Sequence, residues 1–273
     1  MLCKTIMRHI HRALLVVQLT HALHLTPATR RRRHVSCKGT KLTSDYVESL
    51  FDGFADTFEG VLVEQLEYCA PAKVAEAAIN ATAHRGKYAS ALDAGCGTGL
   101  AGLELRDAVQ GALDGVDLSA KMAEYAAELC LTDDGAVERA DAVTLKATGW
   151  ETIYRRVETG NLLQLDKCGL DAQYELVVSA DVLCYFGDLK GVLSALAAKT
   201  APGGDLIFTV ETLPEGDWRW VLQAIERYAH HPDYVRDVAT AIGLEPREAI
   251  PFQPRMESGL PVRGTLHVLH KPR

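Results

Sequence analysis

An aspartate followed by three spaced glycines, Asp-x-Gly-x-Gly-x-Gly at residues 93–99, constrains the fold of this chain more than any other feature. The mostly apolar segment before it, Tyr88–Asp93, is typical of a buried strand, and Leu100–Val109 has the pattern of a helix. Glycines lack a Cβ atom, so the backbone between these elements can turn tightly and approach a ligand closely. The free N–H groups at the start of the helix point toward the same place. The sequence therefore predicts a ligand-binding loop between a strand and a helix.

The spacing of the glycines indicates which ligand the loop binds. A dinucleotide-binding loop has the form Gly-x-Gly-x-x-Gly and holds a pyrophosphate at the start of the helix. Here Gly95, Gly97 and Gly99 follow one another at intervals of two, and Asp93 stands just before them. Because Asp93 can hold an ammonium group directly or through water, the loop favours a zwitterionic amino acid over a diphosphate.

A second acidic residue, Asp117, ends the next predicted strand about twenty residues after the loop. An acidic side chain at this point can accept hydrogen bonds from both hydroxyls of a ribose. It would repel a phosphorylated ribose, which disfavours NADP. Capping of the helix that begins near Ser119 is the alternative role for Asp117. Met122 lies one helical turn further on and is expected to pack on an adenine ring.

Beyond the loop the chain alternates between predicted strands and helices, which is typical of a mostly parallel sheet covered on both faces. Residues 131–153 do not alternate cleanly and are interpreted as an insertion. The last two strands are joined by a turn and predict an antiparallel hairpin at one edge. The predicted strands are Tyr88–Asp93, Leu113–Asp117, Val157–Thr159, Tyr174–Ala180, Leu206–Val210, Ala249–Phe252 and Thr265–Leu269. The predicted helices are a first one from Ser44 or Asp45 to about Leu66, then Ala72–His84, Leu100–Val109, Ser119–Cys130, Leu189–Thr200, Trp218–Ala229 and Tyr234–Ile242.

Three motifs together resemble the class I S-adenosylmethionine-dependent methyltransferases: residues 92–99 (LDAGCGTG), residues 114–119 (DGVDLS) with Met122, and residues 180–183 (ADVL). More narrowly, the chain resembles the methyltransferases associated with tetratricopeptide repeats and with the Williams–Beuren region. That likeness extends over about 45–270, although this chain has no such repeat. It is carried by Phe51-Asp52, Phe58-Glu59, Tyr68, Pro71, residues 187–189 (GDL), 202–204 (PGG), 227–230 (RYAH), Tyr234 and 261–264 (PVRG).

The resemblance implies an α/β, Rossmann-like class I methyltransferase fold with a mostly parallel seven-stranded sheet and an antiparallel C-terminal hairpin. It implies a methyltransferase domain over 43–273, with an N-terminal helical cap at 43–86 and the Rossmann-like core at 87–273. It also implies S-adenosyl-L-methionine as the cofactor. The residues expected to bind that cofactor are Asp93, Gly95, Cys96, Gly97, Gly99, Asp117, Leu118, Met122, Asn161, Leu162 and Ala180.

One position of the implied adenine pocket has two possible alignments. The family has Gly-Asp after the third strand, with the aspartate reaching the adenine amino group. If residues 154–160 form that strand, Asn161 and Leu162 take this position, and the carbonyl of Asn161 can accept the same bond. The alternative places Asp141 there and makes 143–173 a long insertion. The first alignment is favoured.

Methyl transfer requires in-line placement of the acceptor and exclusion of water, and some acceptors also require a base. Asp181 and Tyr185 follow the fourth predicted strand, at the carboxyl edge where ligands bind in such sheets, so they are the first candidates for the reacting region. Asp181 could instead only cap the following turn. His230 is a candidate base, with a structural role as the alternative. Three arginines, Arg227, Arg255 and Arg263, could hold an acidic group of the substrate or form ion pairs.

The distribution of charge separates a basic leader from an acidic body. Residues 1–44 contain nine Lys or Arg and no Asp or Glu, which leaves 20 basic and 36 acidic residues, a net charge near −16, for 45–273. Such a body is poorly suited to binding a phosphate backbone, so no nucleic-acid partner is expected. The seven cysteines contain no Cys-x-x-Cys pair and match no zinc spacing, so neither a metal nor a disulfide framework is expected.

The first 42 residues are interpreted as a targeting leader that is cleaved or disordered. Their apolar run, Ala13–Leu25, is too short to cross a bilayer, so no stable membrane insertion is expected. Arginine-rich, acid-free sequence around it is typical of transit peptides. A plastid reached through the secretory route and a mitochondrion are both compatible with this leader. Without a targeting function the protein would be cytoplasmic, and a basic tail that binds acidic lipid or RNA is the remaining alternative.

Three functions fit these observations, and S-adenosylmethionine binding is common to all of them. The favoured function is methylation of a small molecule. A protein substrate, or a non-catalytic sensor or assembly factor, is the alternative. The chain has neither an Asn/Asp-Pro-Pro-Tyr/Phe motif nor a Pro-Cys pair, so known routes to methylation of amide or base nitrogens and of pyrimidine carbons are unsupported.

Overall fold

The computed structural model describes residues 42–58, 68–213, 216, 218–257 and 259–273. The predicted leader therefore lies outside the described residues, except for Leu42. The predicted continuation of the first helix beyond Phe58 also lies outside them.

The central sheet has the predicted class of architecture: a parallel core with antiparallel strands from the C-terminal part of the chain. The strand order is β11-β14-β8-β7-β1-β2-β6. The five strands from β8 to β6 run parallel to their neighbours, whereas β14 is antiparallel to both β8 and β11. These strands are β1 (Tyr88–Ala94), β2 (Val109–Asp117), β6 (Arg156–Thr159), β7 (Tyr174–Ser179), β8 (Thr200–Thr212), β11 (Glu245–Phe252) and β14 (Gly264–His270).

The helices cover both faces of this sheet, so its central strands are apolar on both sides. In β7, Leu176 and Val178 pack with one hydrophobic cluster and Val177 with the other, and all three are fully buried. Each buried aliphatic side chain of this kind contributes roughly 1.5–3 kcal/mol. The helices are α1 (Ser44–Phe54), α2 (Ala70–Arg85), α3 (Leu100–Leu105), α4 (Ala120–Glu128), α5 (Ala142–Thr148), α6 (Lys190–Lys199) and α7 (Pro232–Ala241).

The predicted insertion forms a small unit of its own beside the main sheet. Three short strands, β3 (Leu129–Leu131), β4 (Val137–Arg139) and β5 (Glu151–Thr152), pair in an antiparallel arrangement, and α5 lies between the last two in sequence. The chain then returns to the main sheet as β6, whose residues pair with β2 in parallel. This pairing sets the position of the residues that follow β6.

The helix predicted at Trp218–Ala229 is wrong, because this segment forms a hairpin of β9 (Trp220–Leu222) and β10 (Tyr228–His230). The hairpin turns at Glu226, which has a positive φ of 59°. Strand β10 also pairs in parallel with the end of β8, so tertiary hydrogen bonds outweigh the local helical pattern. A short hairpin of β12 (Met256–Glu257) and β13 (Leu260–Pro261) lies between β11 and β14.

The helix after the glycine loop is shorter than predicted. It ends at Leu105, and Val109 already belongs to β2.

None of the helices within the described ranges combines the length and the apolar character that crossing a membrane requires.

Candidate active site

A cavity of about 610 Å³ opens at the carboxyl ends of β1, β2, β6 and β7. Helix α1 and the hairpin β9–β10 also contribute to its wall. The wall residues are Leu42, Thr43, Ser44, Val47, Phe51, Phe58, Tyr68, Pro71, Gly95, Cys96, Gly97, Thr98, Leu100, Ala101, Asp117, Leu118, Asn161, Leu162, Leu163, Ala180, Asp181, Val182, Tyr185, Phe186, Gly187, Asp188, Gly191, Arg227 and Tyr228. Most predicted site residues are therefore brought to one place by the sheet.

The glycine loop forms one wall of the cavity, and two of its positions require glycine for different reasons. Gly95 has a φ of 81°, and a Cβ atom there would lie 2.4 Å from a methyl group of Val182. Gly97 has a φ of 53°, and a Cβ atom there would meet only the ring of Phe58, at 3.9 Å. The space beside Gly97 is thus open to a ligand. The predicted contact of Gly99 with the cofactor is corrected, because Gly99 is not part of the wall. Gly99 lies against Leu129, and a Cβ atom on Gly99 would be only 2.8 Å from that side chain.

Asp117 ends β2 and faces the cavity with both carboxylate oxygens already oriented. Its Oδ2 accepts a hydrogen bond from the backbone N–H of Gly97 at 2.8 Å, and its Oδ1 accepts one from Ser119 at 2.9 Å. Burial raises the pKa of Asp117, and these two backbone donors counteract the rise. Each oxygen keeps a further lone pair, so the carboxylate can accept two hydroxyls of a ribose. The helix cap that might have explained Asp117 is instead supplied by Ser119.

Asp93 is fully buried beneath the loop and is not part of the cavity wall. Its Oδ2 accepts a hydrogen bond from the hydroxyl of Tyr154 at 2.7 Å. Its Oδ1 has no hydrogen-bond partner among the described residues. Burial raises the pKa of Asp93 to about 7, against the opposing effect of the Tyr154 hydroxyl. Asp93 is therefore too deeply buried to contact a ligand ammonium directly. A bridging water molecule is the remaining way to connect Asp93 with that ammonium group.

The register of β6 places Asn161 on the cavity wall beside Leu162. The side-chain oxygen of Asn161 accepts from the backbone of Leu163 at 2.9 Å, and its amide nitrogen donates to Ser44 at 3.1 Å. A second lone pair on that oxygen remains for a donor such as an adenine amino group. The alternative residue, Asp141, caps α5 and is not part of the wall.

The other residues predicted for the cofactor divide into two groups. Cys96, Leu118 and Ala180 lie on the wall. Met122 is fully buried within α4 and does not reach the wall, which corrects the predicted contact with adenine. Leu118 and Leu162 are two of the apolar side chains on the wall that are available for that contact.

Asp181 lies on the wall in a left-handed conformation, with a φ of 58°. A non-glycine residue takes this conformation only where its surroundings hold it. Its backbone N–H donates to Thr209 at 2.8 Å, and its carboxylate forms ion pairs with Arg227 at 3.0 Å and with Arg255 at 3.3 Å. Its carboxylate oxygens are thus engaged by guanidinium groups.

Arg227 and Arg255 take the second of their two predicted roles, because both form ion pairs. Arg255 is 1% exposed and donates to Glu211 at 2.6 Å and to Glu257 at 3.0 Å. Arg227 also approaches Glu211, at 3.8 Å. The five charged groups of this network, Arg227, Arg255, Asp181, Glu211 and Glu257, hold one more negative charge than positive. The third arginine, Arg263, is exposed and lies outside the wall.

Tyr185 lies on the wall between aromatic and cationic neighbours. Its ring meets that of Phe51 edge-on at 5.5 Å, and the guanidinium of Arg227 lies 5.2 Å from its centroid. Burial raises the pKa of Tyr185, so its phenol is neutral. The residue can therefore orient an acceptor but is not a base at neutral pH.

His230 does not reach the cavity, which corrects its prediction as the catalytic base. It is fully buried, and its Nε2 donates to the carbonyl oxygen of Phe186 at 2.8 Å. Burial lowers the pKa of His230 to about 4. His230 supports the loop that carries Phe186 and Gly187. It thus has the structural role that was the alternative to catalysis.

One group of potential metal ligands exists among the described residues, formed by Asp181, Cys184 and Glu211. The guanidinium groups of Arg227 and Arg255 already occupy the two carboxylates. Burial raises the pKa of the Cys184 thiol, so the thiolate that a metal requires is disfavoured. The group is explained by the ion-pair network.

The sequence did not assign Tyr154, Glu211, Phe51 and Phe58 to the site. The two phenylalanines were named only among the residues that carry the family resemblance, and both lie on the cavity wall. That resemblance was the signal for them in the first predicted helix. Tyr154 and Glu211 gave no such signal, because their roles depend on contacts distant in sequence.

The fold and the cavity define a Rossmann-like methyltransferase. The family model described as "methyltransferase domain" matches residues 62–246. The chain therefore belongs to the methyltransferase domain family, of the class I type that uses S-adenosylmethionine. No curated protein matches the chain.

Solved structures share the fold at low sequence identity. A magnesium protoporphyrin IX methyltransferase from Synechocystis, crystallised with S-adenosylhomocysteine, has a TM-score of 0.58 and 16% identity, covering 84% of this chain and 99% of its own. A 1,6-didemethyltoxoflavin-N1-methyltransferase from Burkholderia thailandensis, bound to 1,6-didemethyltoxoflavin and S-adenosylhomocysteine, has a TM-score of 0.59 and 16% identity, with 88% and 99% covered. The N-methyltransferase NodS from Bradyrhizobium japonicum has a TM-score of 0.50 and 16% identity, with 74% and 87% covered.

Proposed function

We propose that this protein transfers a methyl group from S-adenosylmethionine to a small molecule held in the cavity. The observation that carries the proposal is the single continuous cavity, in which the glycine loop and Asp117 adjoin a wall of aromatic rings. Those rings belong to Phe51, Phe58, Tyr68, Tyr185, Phe186 and Tyr228. A concave, mostly apolar pocket with a few convergent polar groups is typical of small-molecule sites.

The residues fit the proposed cofactor at three points. Gly97 leaves open space for a close backbone approach, Asp117 has lone pairs for two hydroxyls, and Asn161 has an acceptor for an amino group. Leu118 and Leu162 offer apolar faces for a purine ring. When bound, S-adenosylmethionine supplies an electrophilic methyl group on a sulfonium ion.

The protein's own contribution is placement of the acceptor and exclusion of water. Helix α1 closes the cavity: Phe51 packs on Tyr185, and Ser44 bonds to Asn161. Because the Asp181 carboxylate is engaged and the phenol of Tyr185 is neutral, the described wall favours an acceptor that is nucleophilic without a strong protein base, such as an amine.

The charge of the wall also restricts the acceptor. Both arginines near the aromatic rings are paired with buried carboxylates, and the network carries a surplus negative charge. A carboxylate or phosphate on the acceptor would have to displace one of these pairs. We therefore propose a neutral or cationic acceptor with an apolar, preferably aromatic, body.

The relatives named above include enzymes whose acceptors are small ring compounds, and this supports a small-molecule acceptor. The alternatives are a protein acceptor and a non-catalytic sensor or assembly factor. The full chain, incubated with methyl-labelled S-adenosylmethionine and an extract of the source cell, distinguishes them. We expect label in the small-molecule fraction; label in protein supports the second function, and cofactor binding without any transfer supports the third.

We further propose that the chain belongs to the narrower group associated with tetratricopeptide repeats and the Williams–Beuren region, on the motifs named under sequence analysis. We also propose that residues 1–42 direct the protein to a plastid or a mitochondrion. The acid-free, arginine-rich composition supports this proposal. A fluorescent protein fused after residue 42 should enter one of these organelles; diffuse cytoplasmic fluorescence would contradict the proposal.

A further inference from the structure

Tyr154 stands out among the buried polar residues because it contacts elements on both sides of the glycine loop. Its hydroxyl donates to Asp93 Oδ2 at 2.7 Å and accepts the backbone N–H of Gly102 at 3.1 Å. The residue is 2% exposed. Tyr154 thus links the end of β1 to the first turns of α3, on either side of the loop.

The ring of Tyr154 fills space that three glycines leave open. A Cβ atom on Gly99 would lie 3.2 Å from the ring, one on Gly102 would lie 2.4 Å from it, and one on Gly115 would lie 3.2 Å from it. These glycines belong to the loop, to α3 and to β2. The side chain is therefore enclosed by the elements that carry the cofactor-binding residues, although it does not line the cavity itself.

We propose that Tyr154 is a positioning residue of the cofactor site: its hydroxyl keeps Asp93 oriented beneath the glycine loop, and its ring supports the loop from below. The inference rests on the proposed function, because it concerns how the same site holds its cofactor. Asp93 Oδ1 is buried and has no partner in the described chain, so it is the oxygen available to the cofactor's ammonium group through a bridging water.

The charges around Asp93 make this arrangement sensitive to pH. Burial raises the pKa of Asp93 to about 7, the Tyr154 hydroxyl lowers it, and the negative charge of Asp117 raises it. Cys96 faces the same carboxylate from the loop, and burial keeps its thiol neutral by raising its pKa. Arg139, from β4, contacts the carbonyl of Thr98 at 3.0 Å, on the outer side of the loop. Without the Tyr154 hydroxyl, Asp93 would hold its proton to a higher pH.

The test is the affinity for S-adenosylmethionine as a function of pH, measured by titration calorimetry on the full chain and its Tyr154→Phe variant. In the wild type we expect affinity to fall as the pH decreases through about 7, roughly tenfold per unit below that point. In Tyr154→Phe this midpoint should move upward by about one pH unit, since a hydrogen bond to a charged group is lost. At high pH, where Asp93 is ionised in both proteins, the affinity of Tyr154→Phe should stay below that of the wild type, because the hydroxyl no longer orients the carboxylate. The ligand's own amino group titrates equally in both measurements.

The matched control is Tyr174→Phe. Tyr174 is also fully buried, and its hydroxyl also donates to a buried aspartate, Asp114, at 2.7 Å, but that aspartate pairs with Arg155 and Arg156 and does not lie beneath the glycine loop. The Tyr174→Phe variant should lose about as much stability as Tyr154→Phe, but the midpoint of its pH dependence should remain that of the wild type. An unshifted midpoint in Tyr154→Phe, or an equal shift in Tyr174→Phe, would overturn the proposal.

Two further outcomes keep the test decisive. If Tyr154→Phe does not fold, the wild type is compared with Asp93→Asn, which should lack the fall in affinity below about pH 7 and show only the titration of the ligand itself; a wild type that behaves like Asp93→Asn would overturn the proposal. If the wild type does not bind S-adenosylmethionine at any pH, the proposed function itself fails. Binding with a normal midpoint in Tyr154→Phe refutes only the role of Tyr154.

Discussion

Replacing Arg255 with Met should destabilise the fold strongly, because the change removes the centre of a buried ion-pair network. Arg255 is 1% exposed and serves the carboxylates of Asp181, Glu211 and Glu257. Glu211 is only 2% exposed, so it cannot exchange its lost partner for bulk water. Removing one partner of a buried ion pair costs about 3–5 kcal/mol, since the remaining charge stays uncompensated.

The free energy of unfolding of Arg255→Met, measured by urea denaturation, should therefore fall by about 3–5 kcal/mol. For a chain of this size the melting temperature should fall by roughly 6–20 °C, at 2–4 °C per kcal/mol. Affinity for S-adenosylhomocysteine should fall as well, because Arg255 pairs with Asp181, a residue of the cavity wall that has a left-handed conformation.

The control is Arg247→Met, which removes an exposed arginine paired with exposed Glu245 at 3.0 Å. An exposed pair contributes about 0–1 kcal/mol, so this variant should keep nearly all of the wild-type stability. A loss below about 1 kcal/mol in Arg255→Met, or a loss equal to that of the control, would refute the argument that this network is buried and structurally required.

Three other changes test the site and the core. Gly95→Ala should lower cofactor affinity at least tenfold with a smaller effect on stability, because its φ is 81° and its Cβ would lie 2.4 Å from Val182; wild-type affinity by calorimetry would contradict the role of this loop. Asp117→Ala should abolish measurable binding of S-adenosylmethionine, and unchanged binding would refute the site assignment. Burial lowers the pKa of His230 and of His267 to about 4 from 6.5, so the unfolded chain takes up protons first as the pH falls. Urea denaturation should therefore show stability falling between about pH 6.5 and pH 4, by roughly 2–4 kcal/mol for each histidine, and His267→Phe should reduce this slope.

The sequence predicted the parts of the fold whose signals are local. The glycine loop, the acidic end of β2 and the apolar β7 each carry their own pattern, and alternating strands and helices imply a parallel sheet. Asn161 was assigned to the adenine pocket because the short strand β6 was recognised as the third strand, and Gly160 and Asn161 follow that strand directly.

The hairpin of β9 and β10 could not be predicted in the same way. Its residues are compatible with a helix, and only pairing of β10 with β8 makes the extended form more stable. His230 could not be placed from the sequence either; it was a candidate base because imidazole titrates near neutral pH. Its burial behind the wall depends on where that hairpin docks, which no local pattern contains.

The charged residues of the site show most clearly what the sequence could not predict. Arg255 and Glu211 are 44 positions apart, and neither belongs to a recognisable motif. Their pairing follows from the antiparallel position of β14 beside β8, which carries the chain around Arg255 back to the end of β8. Asp181 was identified because it follows β7, but its two ion pairs were not.

The most direct test of the account is equilibrium binding of S-adenosylmethionine to the full chain by titration calorimetry, followed by competition with S-adenosylhomocysteine and with NAD. We expect saturable binding of one molecule per chain, displaced by S-adenosylhomocysteine and unaffected by NAD. An absence of binding, or displacement by NAD as effective as that by S-adenosylhomocysteine, would contradict it.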